Sequence, residues 1–293
     1  MVMNDETQQR LPGWLHADLP HTPRAGRVDR ILAAHGLDTV CREARCPNRG
    51  ACRDAGTATF LLLGRVCARG CAYCSVTRGA PSPPDPSEPA RLAAAVRDLG
   101  LDYAVVTAVT RDDLPDGGAG AFAAAIHNIR SESPRTLIEV LVPDFLGDAR
   151  AARAVAQARP AVFGHNLETV EALFPSLRPG GGYARSLSLL SDIKKAFPRL
   201  PIKSGLMAGL GETRAQLRAA LQDLHAAGCD LVTVGQYLRP APDRAPVRRF
   251  LPPDEFEDIR LEALGMGFAA ALCGPLVRSS FGARDLALTM IAG

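Results

Sequence analysis

From Thr57 onward the chain alternates short apolar β-type runs with Ala- and Leu-rich helical stretches, and no other feature limits its fold as strongly. The runs lie at 59–63, 103–107, 137–142, 161–165, 202–207 and 231–236. The clearest helix is 213–227. There Leu217, Leu221 and Leu224 share one face, Arg214, Arg218, Gln222 and His225 fall elsewhere, and Gly228 follows as a stop. Near-continuous apolar runs, each followed by helical sequence, are the pattern of a parallel sheet buried on both faces by crossover helices. An α/β architecture is therefore expected, with an open doubly wound sheet and a partial barrel fitting the count equally well.

The flanks read differently. Residues 1–56 show no sustained period apart from a short helix at 28–34, and are expected to form an extension without a core of its own. Pro81, Pro83, Pro84, Pro86 and Pro89 make a stiff connector ahead of a helix at 91–99. Beyond Pro240 a Pro- and Arg-rich loop precedes one helix, 255–264, and a tail. A net charge of +3, spread along the chain, is too small to mark a nucleic-acid or membrane surface. No apolar window has the length of a membrane span, since the richest, 58–63 and 264–277, are short or broken by Gly and Pro.

The cysteines concentrate where the alternation begins. Of eight, Cys41, Cys46, Cys52, Cys67, Cys71 and Cys74 fall between 41 and 74, leaving Cys229 and Cys273 as small hydrophobes. Disulfide frameworks belong to short secreted domains. Residues 1–20 run through Asp5, Glu6 and Arg10 without the apolar core of a secretory leader, so metal ligation in a reducing cytoplasm is expected.

Cys67, Cys71 and Cys74 form a C-x3-C-x2-C set just after the first strand, at the end of a parallel strand where α/β sites are built. Three thiolates hold three irons of a [4Fe–4S] cluster and leave the fourth open. Ferredoxin runs and zinc knuckles use other spacings. A structural zinc or an inert cluster remains the bland reading of three cysteines in eight residues. Cys41, Cys46 and Cys52 form C-x4-C-x5-C, again three ligands, which needs a fourth group from elsewhere or stays open. Alone this spacing also admits a zinc or fortuitous site, but two such sets so close together argue against coincidence.

The C-x3-C-x2-C set, with Tyr73 before its last cysteine, resembles the motif of the radical S-adenosylmethionine (SAM) superfamily. Further segments resemble the lipoyl synthase family over nearly the whole chain. They are Thr39-Val-Cys-Arg-Glu-Ala-Arg-Cys-Pro-Asn48, Gly56-Thr-Ala-Thr-Phe60, Thr110-Arg-Asp-Asp-Leu-Pro-Asp-Gly-Gly118, His165-Asn-Leu-Glu-Thr-Val170, Lys203-Ser-Gly-Leu-Met207, Gly209-Leu-Gly-Glu-Thr213, Gly235-Gln-Tyr-Leu238 and Gly274-Pro-Leu-Val-Arg-Ser-Ser280.

The resemblance implies a partial (β/α)6 TIM-type barrel at 57–240. An N-terminal extension, 1–56, would carry the auxiliary-cluster cysteines, and a C-terminal extension, 241–293, a serine ligand, the two closing over the barrel opening. It implies two [4Fe–4S] clusters, one on Cys67, Cys71 and Cys74, the other on Cys41, Cys46, Cys52 and Ser280. SAM would bind the open iron, with two consumed per lipoyl group. The implied reaction inserts sulfur from the auxiliary cluster at C6 and C8 of an octanoyl-lysine on a lipoyl carrier domain or glycine cleavage H protein, with Arg278 and Ser280 at the site. Implied partners are an electron donor such as ferredoxin or flavodoxin and an iron–sulfur cluster carrier. The chain departs from the family pattern at Phe281, where Tyr is usual, and at Ala51 and Arg53 around Cys52.

Other two-cluster enzymes of the biotin synthase or methylthiotransferase type fit less well, because here the auxiliary motif precedes the radical motif and the tail carries Arg278-Ser279-Ser280. A non-catalytic iron–sulfur module is the alternative from another class. Tyr73, Asn166, Glu168, Arg185 and Lys203, one of only three lysines, are candidates for SAM contacts at strand ends, with ordinary ion pairs or loop hydrogen bonds equally open. The glycines at 205–211 read as backbone contact to a ligand or as tight strand-to-helix packing. Asp112 and Asp113 read as salt-bridge or solvated loop residues rather than an acid/base pair.

Overall fold

The structure, a computed structural model, describes residues 10–15, 23–55 and 57–291, so Gly56 and most of the stretch read for a leader lie outside it. Ten strands form: β1 (Asp38–Thr39), β2 (Thr59–Leu62), β3 (Val66–Cys67), β4 (Thr77–Arg78), β5 (Tyr103–Ala108), β6 (Leu137–Leu141), β7 (Val162–Gly164), β8 (Ile202–Ala208), β9 (Leu231–Gln236) and β10 (Ala270–Gly274). The helices are α1 (Pro23–Ala34), α2 (Val40–Glu43), α3 (Arg49–Asp54), α4 (Glu88–Leu99), α5 (Ala119–Glu132), α6 (Ala149–Gln157), α7 (Phe174–Leu177), α8 (Tyr183–Ala196), α9 (Arg214–Ala226), α10 (Pro253–Met266) and α11 (Ala283–Ile291). None is long and apolar enough to cross a membrane.

Eight strands make one sheet in the order β1-β2-β5-β6-β7-β8-β9-β10, parallel throughout except for β1 against β2. The parallel strands run in strict chain order with no reversal. A doubly wound sheet must reverse at a switch point, so this order is that of a partial barrel. The six sequence-read strands are all present. A seventh parallel strand, β10, lies in what the sequence suggests is tail, pairing Ala270 with Leu231 and Gly274 with Gly235. The sheet therefore continues past residue 240.

Alternate strand residues face two different layers. Ala104, Val106, Ile138, Val140, Phe163, Val232 and Val234 join the helix-side core with Leu92, Phe122, Ile126, Leu190 and Leu221, and Val28 and Leu32 of α1 pack into this same core. The opposite face is the concave one. Tyr103, Val162, Leu231 and Ala270, each the first residue of its strand, cluster there with Ala283, Leu286 and Ala287 of α11. Arg284 lies 3.8 Å from Asp102, just ahead of β5. Helix α11 thus closes the barrel at the strand N-termini.

α9 shows the local rules at work. Thr213 accepts from the Gln216 N–H at 3.2 Å while Gln216 Oε1 accepts from the Thr213 N–H at 2.9 Å, a capping box that starts the helix.

Between β10 and α11 the chain crosses the concave face, and glycines make room for it. A Cβ at Gly235 would strike the Val277 carbonyl, and one at Gly205 would lie within 2.9 Å of Ser279 Oγ, Asn166 Oδ1 and Thr233 Oγ1. Gly235→Ala is expected to lose about 1–3 kcal/mol from overpacking. Gly265→Ala, in α10 with nothing within 4 Å, should be neutral or gain up to about 1 kcal/mol. Urea midpoints of the two variants check the contrast.

Candidate active site

The C-terminal ends of the parallel strands carry the loops that matter. After β2 the chain turns at Leu63 (φ 68°) and Gly64 (φ 87°), and the Leu63 N–H donates to Glu88 at 2.7 Å. Pairing of β3 with β4 then closes the loop holding Cys67, Cys71 and Cys74, with Val66 opposite Thr77 and Cys67 opposite Arg78. Inside it the Cys74 N–H donates to the Cys71 carbonyl at 3.1 Å, and the Arg69 N–H approaches Cys67 Sγ at 3.4 Å. All eight cysteines are free thiols.

The loop is anchored by Arg69. Its guanidinium, 4% exposed, donates to Asp112 at 2.7 and 2.8 Å and lies 2.6 Å from Asp144, which is wholly buried and also 2.9 Å from Arg185. Burial pushes the Asp144 carboxyl up, but the Arg69 hydrogen bond and the charges of Arg69, His165 and Arg185 outweigh it and hold the group below the usual carboxylate range. Asp113 pairs with Arg111 at 2.8 Å. Both aspartates are thus salt-bridge residues.

Tyr73, Asn166 and Glu168 lie together beside the cysteine loop. The Tyr73 hydroxyl hydrogen-bonds Cys71, and the Asn166 amide donates to Glu168 Oε1 at 3.2 Å. Glu168 has a φ of 73° yet sits in register, its N–H donating to the Gly205 carbonyl at 2.9 Å and its carbonyl accepting from Met207 at 2.8 Å. A residue held there against steric preference marks a place the surroundings over-determine. Burial raises the Glu168 carboxyl, countered by Arg178, which donates to the Asn166 carbonyl at 2.7 Å and rests on Phe174. Arg178, Arg69 and Asp144 escape the sequence reading because nothing local marks them. Their following strand-end loops is the only available signal.

Two candidates are placed otherwise. Arg185 braces Asp144 and the Gly180 carbonyl, one step behind the cysteine loop. Lys203 lies at the start of its strand, as the run 202–207 places it, and so at the opposite end of β8 from the cysteine loop. It is the second residue of β8, bonded to Glu139 at 2.7 Å with both side chains 3% exposed, and Glu139 also accepts from the Tyr103 hydroxyl at 2.5 Å. The glycine-rich turn is likewise occupied by its own neighbour, since the N–H groups of Gly209 and Leu210 donate to Glu212 at 2.5 and 2.9 Å. Packing, rather than a phosphate cradle, accounts for it.

The second trio sits over the same mouth. Ser75 Oγ donates to the Glu43 carbonyl at 2.5 Å and Arg45 donates to the Pro240 carbonyl at 3.1 Å, fastening α2 and its following loop to the barrel loops. Asn48 donates to the Leu276 carbonyl at 2.5 Å. Cys41, Cys46 and Cys52 act on one another. Burial and the Cys41 charge push Cys46 up, while burial, Cys41 and Cys46 push Cys52 up to about 11. Cys74 is likewise pushed up to about 11 by burial and by Cys71 and Cys67. Arg278, from the far end of the chain, is the cation whose charge opposes the shift at Cys46. Ser280 follows two residues later, partly buried.

Each trio is therefore an all-thiol donor set, free and at least partly buried, and at Cys46, Cys52, Cys71 and Cys74 ionisation is disfavoured unless positive charge is supplied. Among the described residues no three His, Cys, Asp or Glu side chains close on one point as a single ion requires. A four-iron cube takes its thiolates at separate corners, so the donors present fit such a group.

A family model described as the radical SAM superfamily matches residues 61–224. The chain is 48% identical over 289 residues to the lipoyl synthase of Thiobacillus denitrificans, covering 98% of this chain and 93% of that one. It is 50% identical over 281 residues to that of an Anaeromyxobacter species, covering 95% of each. Solved structures share its fold at low identity. The [FeFe]-hydrogenase maturase HydG from Carboxydothermus hydrogenoformans has a TM-score of 0.59 at 17% identity, over 78% of this chain and 56% of that one. Methylornithine synthase has a TM-score of 0.52 at 14% identity, over 84% and 74%.

Two outcomes follow from the geometry. Glu139→Gln should cost about 3–5 kcal/mol by stranding the Lys203 charge, whereas Glu139→Leu combined with Lys203→Met should cost far less, as urea midpoints would show. His165, fully buried between the Val142 carbonyl and Ser186 Oγ, is depressed to about 3 by burial and then by Arg178. The unfolded imidazole takes its proton near 6.5, so this stability is complete above that pH and is lost as pH falls toward about 3. By pH 5 the loss is about 2 kcal/mol, a slope that His165→Gln should flatten.

Proposed function

This chain belongs to the lipoyl synthase family of the radical SAM superfamily, and from that premise we propose that it inserts sulfur at C6 and C8 of an octanoyl-lysine on a lipoyl carrier domain or glycine cleavage H protein. It is an enzyme, and its family implies a [4Fe–4S] cluster and SAM. The observation that carries the finer reading is the meeting of the chain's two ends over the barrel mouth, with Asn48 bonded to the Leu276 carbonyl and Arg278 acting on Cys46. It supports residues 1–56 and 241–293 as two halves of one site on the 57–240 barrel.

Cys67, Cys71 and Cys74 would hold three irons of the radical cluster, and Cys41, Cys46, Cys52 and Ser280 the auxiliary one. When bound, these groups supply what no side chain can, a carbon radical strong enough to take hydrogen from unactivated carbons and a sulfide source to replace it. The protein's own part is placement and exclusion of water. Arg69 and Asp144 fix the radical loop, Tyr73 constrains Cys71, and Asn166, Glu168 and Arg178 offer donors and acceptors beside that loop for the methionyl and ribose groups of SAM. Arg185 holds Asp144, and Lys203 keeps the barrel interior polar below them. A serine alkoxide is harder than a thiolate and leaves readily once protonated, so Ser280 suits a cluster that is consumed. A cytoplasmic enzyme served by a ferredoxin or flavodoxin and by a cluster carrier completes the reading.

Anaerobic reconstitution should give about eight irons per chain. Turnover on an octanoyl-lysine peptide should give a mass gain of two sulfurs with two 5′-deoxyadenosines per product. Cys71→Ala should retain only the auxiliary irons and Cys46→Ala only the radical ones. Ser280→Cys should keep all of them and still form deoxyadenosine while losing sulfur insertion. Absence of deoxyadenosine under strong reduction rejects the radical reading, and full turnover by Ser280→Cys rejects the labile-serine one.

A further inference from the structure

A cavity of about 270 Å³ opens beside the antiparallel edge of the sheet, lined by Asp29 of α1, Thr39 of β1, Arg42 of α2, Arg53 of α3 and Arg65. Its inner wall is Arg53, a side chain only 5% exposed. Nη2 reaches Thr39 Oγ1 at 3.3 Å, and Nη1 lies 2.5 Å from Asp29 Oδ1 but outside hydrogen-bonding geometry. Neither Nε nor Nη1 makes a hydrogen bond. Asp29 is 65% exposed, so water screens its charge and leaves it a weak partner. Arg65 is already matched by Asp38 at 2.6 Å. Arg42, exposed on the rim, is a third cation in a lining whose one carboxylate is Asp29.

A buried guanidinium with unfilled donors is costly, and a pocket holding it beside a second cation is complementary to negative charge. Water could occupy the Nε donor but would not balance the charge. A cavity of ~150 Å³ already admits a benzene-sized molecule, so size does not limit this one. The planar fork of arginine matches an oxyanion through paired N–H donors.

We propose that this cavity binds a small oxyanion of the phosphate class, with Arg53 as its buried anchor and Arg42 as its second cation. The site does not depend on what the neighbouring cysteines hold, although Arg42 and Arg53 directly follow Cys41 and Cys52 and a bound anion would tie α2 to α3.

Calorimetric titration of inorganic phosphate into the reconstituted holoenzyme, with ionic strength held constant by chloride, tests the site. One saturable event is expected. Arg53→Leu should weaken it roughly tenfold or more and Arg42→Ala by a smaller factor. Asp29→Asn should tighten it by removing the internal competitor for Arg53. Absence of saturable binding, unchanged affinity in Arg53→Leu, or weaker binding in Asp29→Asn would each overturn the proposal. Should Arg53→Leu fail to fold, the opposite signs expected of Asp29→Asn and Arg42→Ala still decide.

Discussion

The buried carboxylate of Asp144 is the constraint on which the barrel mouth depends. It lies between Arg69 and Arg185 and also accepts from the Leu146 N–H at 3.2 Å. A carboxylate with no exposure is tolerable only when its lone pairs are filled, and here the donors come from the loop after β2, the helix α8 and its own turn. Arg69 carries the constraint on to Asp112 in the loop after β5. Charge thus holds the cysteine loop together with the apolar contacts of Ala72 and Tyr73 against Leu177, Leu210 and Tyr237. The turn itself shows the strain of serving this purpose, with Phe145 and Leu146 at φ 47° and 53°.

Below the mouth the barrel has a problem of volume. Strand side chains do not fill its interior, because Gly205 and Gly235 withhold theirs where the chain from Val277 to Ser279 passes. What fills the lower layer is α11, whose Leu286 and Ala287 meet the first residues of β5, β7, β9 and β10. Between these layers lies Lys203 with Glu139 and Tyr103, a fully partnered buried network. The tail is therefore part of the core, and its path brings Ser279, like Asn166, up against Gly205.

The six strands were legible because parallel strands buried on both faces read as apolar runs, and α9 because its apolar stripe and its stop at Gly228 coincide. β10 was not, since an edge strand that alternates incompletely and runs into Gly274 and Pro275 resembles a loop. The cysteine trios were legible as local spacings. Arg69 with Asp112 and Asp144, or Arg178 with Asn166, were not, because such pairs are made by strand order and not by nearby sequence. Lys203 shows the same limit from the other side. Its rarity marks it in the sequence and the run 202–207 puts it at a strand start, but its partner Glu139 comes from another strand and is set by the fold.

The contacts between the chain's ends bear on how the proposed auxiliary site would behave. Cys41 and Ser280 are separated by most of the sequence, and a metal group alone would have to overcome the closure entropy of that long loop. Asn48 on Leu276 joins the two segments directly, and Arg45 on Pro240 and Ser75 on Glu43 fasten the first of them to the barrel loops. Hydrogen bonds of this kind share the cost of holding the ends together with whatever the site binds. Under the proposed reading this has a direct use. A cluster that gives up its sulfur must be lost and rebuilt while the rest of the site survives, and a mouth fastened by hydrogen bonds of its own can stay closed when the iron leaves.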